Sequence, residues 1–283
     1  MVSTTSVFIS VDMEGIAGIT TFRQTVRGTD DYAWAREIMT EEANAAIAGA
    51  FDASATKVVV SDSHGDMANL LPHTIDQRAD LVQGTPKVPY SMMTGIEDGF
   101  TCAAFVGYHA GAGTSGAIMA HTYTGSITDL RVNSESWNET HLNAALAGTF
   151  GVPVGFVSGD RACCDQAKER LPWVKTVAVK EGFGDRVGRS QSPTKARAAI
   201  RGIMRDAVKN ADRLEVWAPP GPYTLELDVV NTAVADLCAL CPGTERTGPR
   251  TVAYATDDFR MLYRCLLTWM HLGRSAAPRS PVD

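Results

Sequence analysis

SVFISVDMEG (residues 6–15) is an apolar run that ends in two carboxylates, Asp12 and Glu14, and KVVVSDSHG (residues 57–65) repeats the arrangement with Asp62 and His64. Between them, DDYAWAREIMTEEANAAIAGAFDA (residues 30–53) has helical periodicity, with Asp30 or Asp31 placed to cap its start. Strand, helix and strand in this order predict a right-handed crossover between parallel neighbours. Two further apolar runs follow the same rule: residues 103–107 lead into His109, and residues 152–158 into Gly159 and Asp160. The fold class expected is therefore α/β, a mostly parallel sheet flanked by helices. Ligands of open α/β sheets gather beyond the carboxyl ends of the strands, so Asp12, Glu14, His64 and His109 are expected along one edge.

Outward from this core, residues 79–82 and 174–179 read as strands, and residues 139–150 and 163–170 as helices. EGFGDRVGRSQSP (residues 181–193) is glycine-rich and polar, which predicts a loop or a domain junction. Ser192 and Pro193 then start a helix. From Tyr223 the pattern changes, because Leu225, Leu227 and Val229 alternate with polar residues as in a half-buried strand. A strand at residues 251–255 and a helix over residues 257–272 complete a smaller α+β part. The expected division is a catalytic α/β domain over residues 1–190, a C-terminal α+β domain over residues 191–273, and a disordered tail over residues 274–283.

With 283 residues, 45% apolar and 20% charged, the chain has the composition of a globular enzyme. Its net charge of -6 and scattered basic residues leave no electrostatic footprint for nucleic acid. No apolar run reaches the length of a membrane span, and MVSTTSVFIS lacks a basic leader, so a cytoplasmic protein is expected. The six cysteines have no secreted-framework spacing and are expected to be reduced and structural. Cys238 and Cys241 sit in the helical pattern TAVADLCALC, where a lone CxxC is weak evidence for zinc.

Taken singly, the polar residues of the edge are unremarkable. A D-x-E triplet is more often a solvated turn, and a lone loop histidine is usually just exposed. Together, two carboxylates and the histidines His64, His109 and His121 suit zinc or manganese, and a carboxylate able to bridge lets two ions sit close together. Asp62 is placed to hold the second ring nitrogen of His64. The glycines of HAGAGTSG form no phosphate-binding loop, no GxSxG elbow is present, and His73 and His271 receive no chemistry.

SVDMEGIAG, MTEEANAA, SDSHG, GYHAGAGT, AHTYTG, E-x-x-LNA, SGD, VAVK, SPTKAR and PGTER occur in an order that resembles the bacterial zinc-dependent D-aminopeptidase family of the dipeptide-transport operon. The resemblance spans nearly the whole chain. It implies a two-zinc site, a metallopeptidase reaction at the free amino end of short peptides, and a homodecameric ring built from pentamers. Carried over by motif, Asp12, Glu14, His64, His109 and Glu139 match the family's metal ligands, and His121 its catalytic histidine. Where the family has an acidic residue after SGD this chain has Arg161, and where it has a small residue before LNA it has His141. Arg161 would either grip a substrate carboxylate or face solvent.

The function expected is a two-metal aminopeptidase or amide hydrolase acting on short peptides or amino-acid amides, D-configured, with zinc as the metal and manganese as its alternative. His121 has three roles open to it: general base, general acid or nucleophile. The rival readings are a dinuclear-metal hydrolase of another small amide or a phosphoester, and a peptide-binding relative that has lost turnover.

Overall fold

Val7, Ile9 and Val11 face one side of the first strand and Phe8 the other, and both sets are fully buried. That two-sided burial belongs to the centre of a parallel sheet covered on both faces. The computed structural model describes residues 4–276. Its first half runs β1 (Ser6–Val11), α1 (Asp30–Asp52), β2 (Lys57–Asp62), β3 (Asp80–Val82), β4 (Cys102–Tyr108), β5 (Ile127–Val132) and β6 (Glu135–Ser136). Then come α2 (Glu139–Gly148), β7 (Val154–Asp160), α3 (Arg161–Arg170), β8 (Lys175–Gly184), β9 (Val187–Ser190) and α4 (Pro193–Lys209). The chain continues as β10 (Tyr223–Val229), α5 (Thr232–Cys238), β11 (Glu245–Gly248), β12 (Thr251–Thr256) and α6 (Phe259–Gly273).

The large sheet has the order β3-β2-β1-β4-β7-β8-β9, parallel throughout except where β9 folds back on β8. The chain therefore winds outward one way from β1 and the other way from β4. These two strands flank the topological switch point, where the crevice of such a sheet opens. Helices α1 and α4 pack on each other, and residues from both share one apolar cluster with Val7, Ile9 and Val11. Phe8, Phe105 and Val157 of the opposite face join a second cluster with α2, α6 and the smaller sheet.

Two expectations are corrected. Thr29, and not Asp30 or Asp31, caps α1: its Oγ1 accepts from Tyr32 N at 3.2 Å, which leaves both aspartates in the first turn, where the helix dipole favours them. The stretch 181–193 is not a loop, because β8 runs on to Gly184 and β9 returns beside it. A Cβ at Gly188 would lie 2.5 Å from Glu181 O, so the glycine serves close strand pairing and not a loose turn. The smaller sheet is antiparallel, of order β11-β12-β10-β5-β6, and α4 packs against α1. Of the tail expected over residues 274–283, Arg274–Ala276 forms a short 3-10 turn, and the remainder lies outside the described residues.

Candidate metal centre

The crevice between β1 and β4 is closed by backbone. Asp12 N donates to Val106 O at 2.8 Å and Gly15 N to Gly107 O at 2.7 Å, and a Cβ on Gly15 would stand 1.9 Å from Tyr108 O. Only glycine permits that approach, and it carries the DMEG loop against the end of β4. Asp12, Glu14, His109 and Glu139 are each at most 4% exposed, and His64 is 9% exposed. The structure thus brings together all six residues named from the sequence, with His121 half-buried beside them.

Each histidine holds one ring nitrogen against a backbone carbonyl: His64 Nε2 at 2.8 Å from Thr25 O, His109 Nδ1 at 3.0 Å from Ala110 O, and His121 Nδ1 at 2.8 Å from Met119 O. A carbonyl only accepts, so the proton sits on that nitrogen and the other ring nitrogen of a neutral imidazole carries a lone pair. In His64 this is Nδ1, 2.9 Å from Glu14 Oε2 and 3.4 Å from Asp12 Oδ1. In His109 it is Nε2, 3.3 Å from both Asp12 Oδ2 and Glu139 Oε1, buried and without an aligned hydrogen bond. Lone pairs facing carboxylates repel unless a proton or a metal cation lies between them.

Asp12 turns one oxygen to each histidine, which is the disposition of a carboxylate shared by two ion sites. Donor atoms of Asp12, Glu14 and His109 fall within 4.8 Å of one another, as do those of His109, His121 and Glu139. Electrostatics agree. Burial opposes charge on both His64 and His109, yet Glu14 beside the first and Glu139 beside the second raise them well above the usual imidazole range. Burial and the neighbouring Glu14 push Asp12 up. Glu14 is held well below its ordinary value because His64 outweighs its burial, and Glu139 is lowered because His109 does the same. The cluster therefore retains protons that a divalent cation would displace, and its nitrogen and oxygen donors fit zinc or manganese.

Glu139 opens α2, whose cap Asn138 accepts from His141 N at 2.9 Å, and its Oε1 accepts from Tyr123 N at 2.6 Å. His121 stacks on His109 with ring centres 4.1 Å apart. His141 is buried away from the donors: Nε2 donates to Gln166 O at 3.0 Å, and burial lowers its pKa to about 4, so the ring is neutral. It lines a cleft of about 340 Å³ together with Thr114, Thr122, Asn138 and Gln166. Arg161 does not line that cleft; it is exposed in the first turn of α3. His73 and His271 are exposed, apart from the cluster.

Asp62 does not orient His64, because Thr25 O already takes the ring proton. Its Oδ2 accepts instead from Asn69 N at 2.5 Å and Leu70 N at 2.7 Å, which shapes the loop after β2. Two positioning residues went unassigned in the sequence. Lys180, buried in the middle of β8, donates to the carbonyls of Glu14, Ile16 and Ile19, and burial lowers its pKa to about 8. Glu42 of α1 accepts from Ala17 N at 2.9 Å. Together they grip the DMEG loop from both sides. VAVK was part of the family pattern, but nothing local said what its lysine would hold.

Glu42 also makes stability depend on pH. Burial pushes its pKa from 4.5 to about 7, so the folded chain keeps a proton that the unfolded chain releases above 4.5. The stabilisation is complete below that value and is lost as pH rises through about 7, about 3 kcal/mol in all at ~1.36 kcal/mol per unit. Glu42→Gln is expected to match wild type at pH 5 and to exceed it by roughly that amount at pH 8 in denaturant titrations. A difference that does not vary with pH would disprove the buried charge as its origin.

Three comparisons bear on this site. The D-aminopeptidase family model, Peptidase M55, matches residues 6–268. A D-aminopeptidase from Bacillus subtilis (strain 168) is 37% identical over 266 residues, which cover 94% of this chain and 96% of that protein. The solved structure of the Zn-dependent D-aminopeptidase DppA from Bacillus subtilis, described as a self-compartmentalizing protease, superposes with a TM-score of 0.93 at 35% identity, covering 97% of this chain and 100% of the other.

Proposed function

Because the chain belongs to the D-aminopeptidase family, we propose that it is a zinc-dependent aminopeptidase that hydrolyses the amide bond next to the free amino end of short, D-configured peptides or amino-acid amides. Asp12, Glu14 and His64 would hold one divalent ion, and Asp12, His109 and Glu139 a second. The observation that carries this reading is the pair of histidine ring nitrogens aimed at opposite oxygens of Asp12. Ions bound there would supply Lewis acidity for the scissile carbonyl and lower the pKa of a water towards about 7. All of these donors lie in residues 1–190, which we take as the catalytic part of the chain.

His121 handles the proton. Its Nδ1 is committed to Met119 O, so Nε2 is the nitrogen free to act. Nε2 takes a proton from the attacking water as the C–O bond forms, and returns that proton to the departing amine as the C–N bond breaks. The stack on His109 and the bond to Met119 keep the ring in one orientation without spending Nε2. Lys180 and Glu42 keep Glu14 in place throughout.

The test is a screen of zinc-loaded protein against aminoacyl amides and dipeptides of both hands, with phosphoesters as the contrast. Release of the amino-terminal residue from D-configured substrates, abolished by a chelator, is expected. Turnover of phosphoesters alone would refute the reading. We further propose a homodecamer, a reading supported by the relative described as self-compartmentalizing; a monomer in light scattering at micromolar concentration would exclude it. A cytoplasmic site of action is supported by the six unpaired cysteines. Among the described residues, no helix is long and apolar enough to cross a membrane.

A further inference from the structure

The β8–β9 hairpin touches two loops of the site, the DMEG loop and the loop that carries His121. Lys180 of β8 grips the DMEG loop, and Ser190 of β9 accepts from Gly18 N at 2.8 Å. At the turn between the strands, Asp185 O accepts from Met119 N at 2.7 Å, and Met119 O is the acceptor that orients His121. Two consecutive hydrogen bonds therefore tie the turn to the imidazole. The residue beside Asp185 is carried to the mouth of the site.

That residue is Arg186. Its guanidinium carbon lies 5.4 Å from the centre of the Phe22 ring, and the same ring stands edge-on to His121 at 6.3 Å between centres. Arg186 Nε donates to Asp185 Oδ2 at 3.2 Å; among the described residues its Nη nitrogens have no partner. Phe22 is half-buried and Arg186 exposed. A guanidinium held against an aromatic ring with its terminal nitrogens free is a donor fork for a carboxylate.

We propose that Arg186 is a specificity-determining residue that takes the free C-terminal carboxylate of a di- or tripeptide whose scissile amide lies at His121. This rests on the peptidase reading above. One phenyl ring separates guanidinium from imidazole, and an extended chain advances about 3.3–3.6 Å per residue. A carboxylate one or two residues beyond the scissile bond therefore reaches the fork, whereas a longer peptide carries its terminus past it. The hairpin then acts as a ruler for chain length.

The experiment compares D-alanyl-glycine with D-alanyl-glycine amide on the zinc-loaded wild type, Arg186→Gln and Arg186→Lys. Wild type is expected to favour the free acid in kcat/KM by about five- to tenfold, the range between an exposed ion pair and a shielded charge-assisted hydrogen bond. Arg186→Gln should bring the ratio near unity through KM, and Arg186→Lys should restore part of it. An unchanged ratio in Arg186→Gln, or no preference in wild type, overturns the proposal while leaving the aminopeptidase reading standing. No turnover of either compound by wild type overturns both.

Discussion

His121→Ala is expected to keep its metal and to lose about 10² to 10⁴ in kcat, the usual contribution of a positioned proton donor or acceptor, with a smaller change in KM. The expectation follows from the division of labour in the imidazole. Nδ1 is spent on Met119 O, and the ring plane is set by the stack on His109, so removal of the side chain takes away Nε2 without disturbing the buried carboxylates. Steady-state kinetics with metal analysis on the same preparation decides it. An interaction made only in the transition state lowers kcat and kcat/KM together. Wild-type kcat in the variant would remove the role. Loss of an ion instead would make His121 a ligand, an outcome its closeness to His109 and Glu139 makes worth measuring.

Asp12→Ala is expected to be the more severe change, with both ions and all measurable turnover lost. Asp12 turns its two oxygens to two different histidines, Oδ1 to His64 at 3.4 Å and Oδ2 to His109 at 3.3 Å. The protein itself should survive, because Asp12 is raised by burial and by Glu14, so its removal relieves a strained carboxylate in the metal-free state. Thermal melts separate the two consequences. Zinc at 100 times its dissociation constant should stabilise wild type by about 2.7 kcal/mol and leave Asp12→Ala unmoved. Full occupancy in the variant would eliminate the bridge, and retention of a single ion would assign Asp12 to one site only.

Much of this architecture is legible in short stretches of the chain. Apolar runs such as Ser6–Val11 and Lys57–Asp62 identify themselves, because strand burial is a property of adjacent residues. The rule that ligands gather beyond carboxyl ends then nominates Asp12, Glu14, His64 and His109 before any contact is known. Glu139 lies outside that rule, since it opens a helix, and only the likeness of LNA to a known pattern brought it in. His121, in an irregular loop, joined the cluster as a third histidine close behind His109, and the likeness of AHTYTG gave it a role.

Tertiary structure decided what depends on neighbours distant in the chain. That β1 and β4 are adjacent, so that His109 meets Asp12, is a matter of strand order. Sheet pairing likewise recruited β5 and β6, whose alternation is weak, to β10. Asp62 is a plausible partner for His64 by spacing, yet Thr25 O, brought in by the preceding loop, takes the ring proton. Lys180, Glu42 and Arg186 have no local signature, because each acts on backbone or a ring supplied by another element. The sequence by itself determined the strands and the chemical types along their ends, since periodicity and motif are written within a few residues. Which nitrogen faces which carboxylate, and what holds the loops there, was settled only when the long-range hydrogen bonds closed.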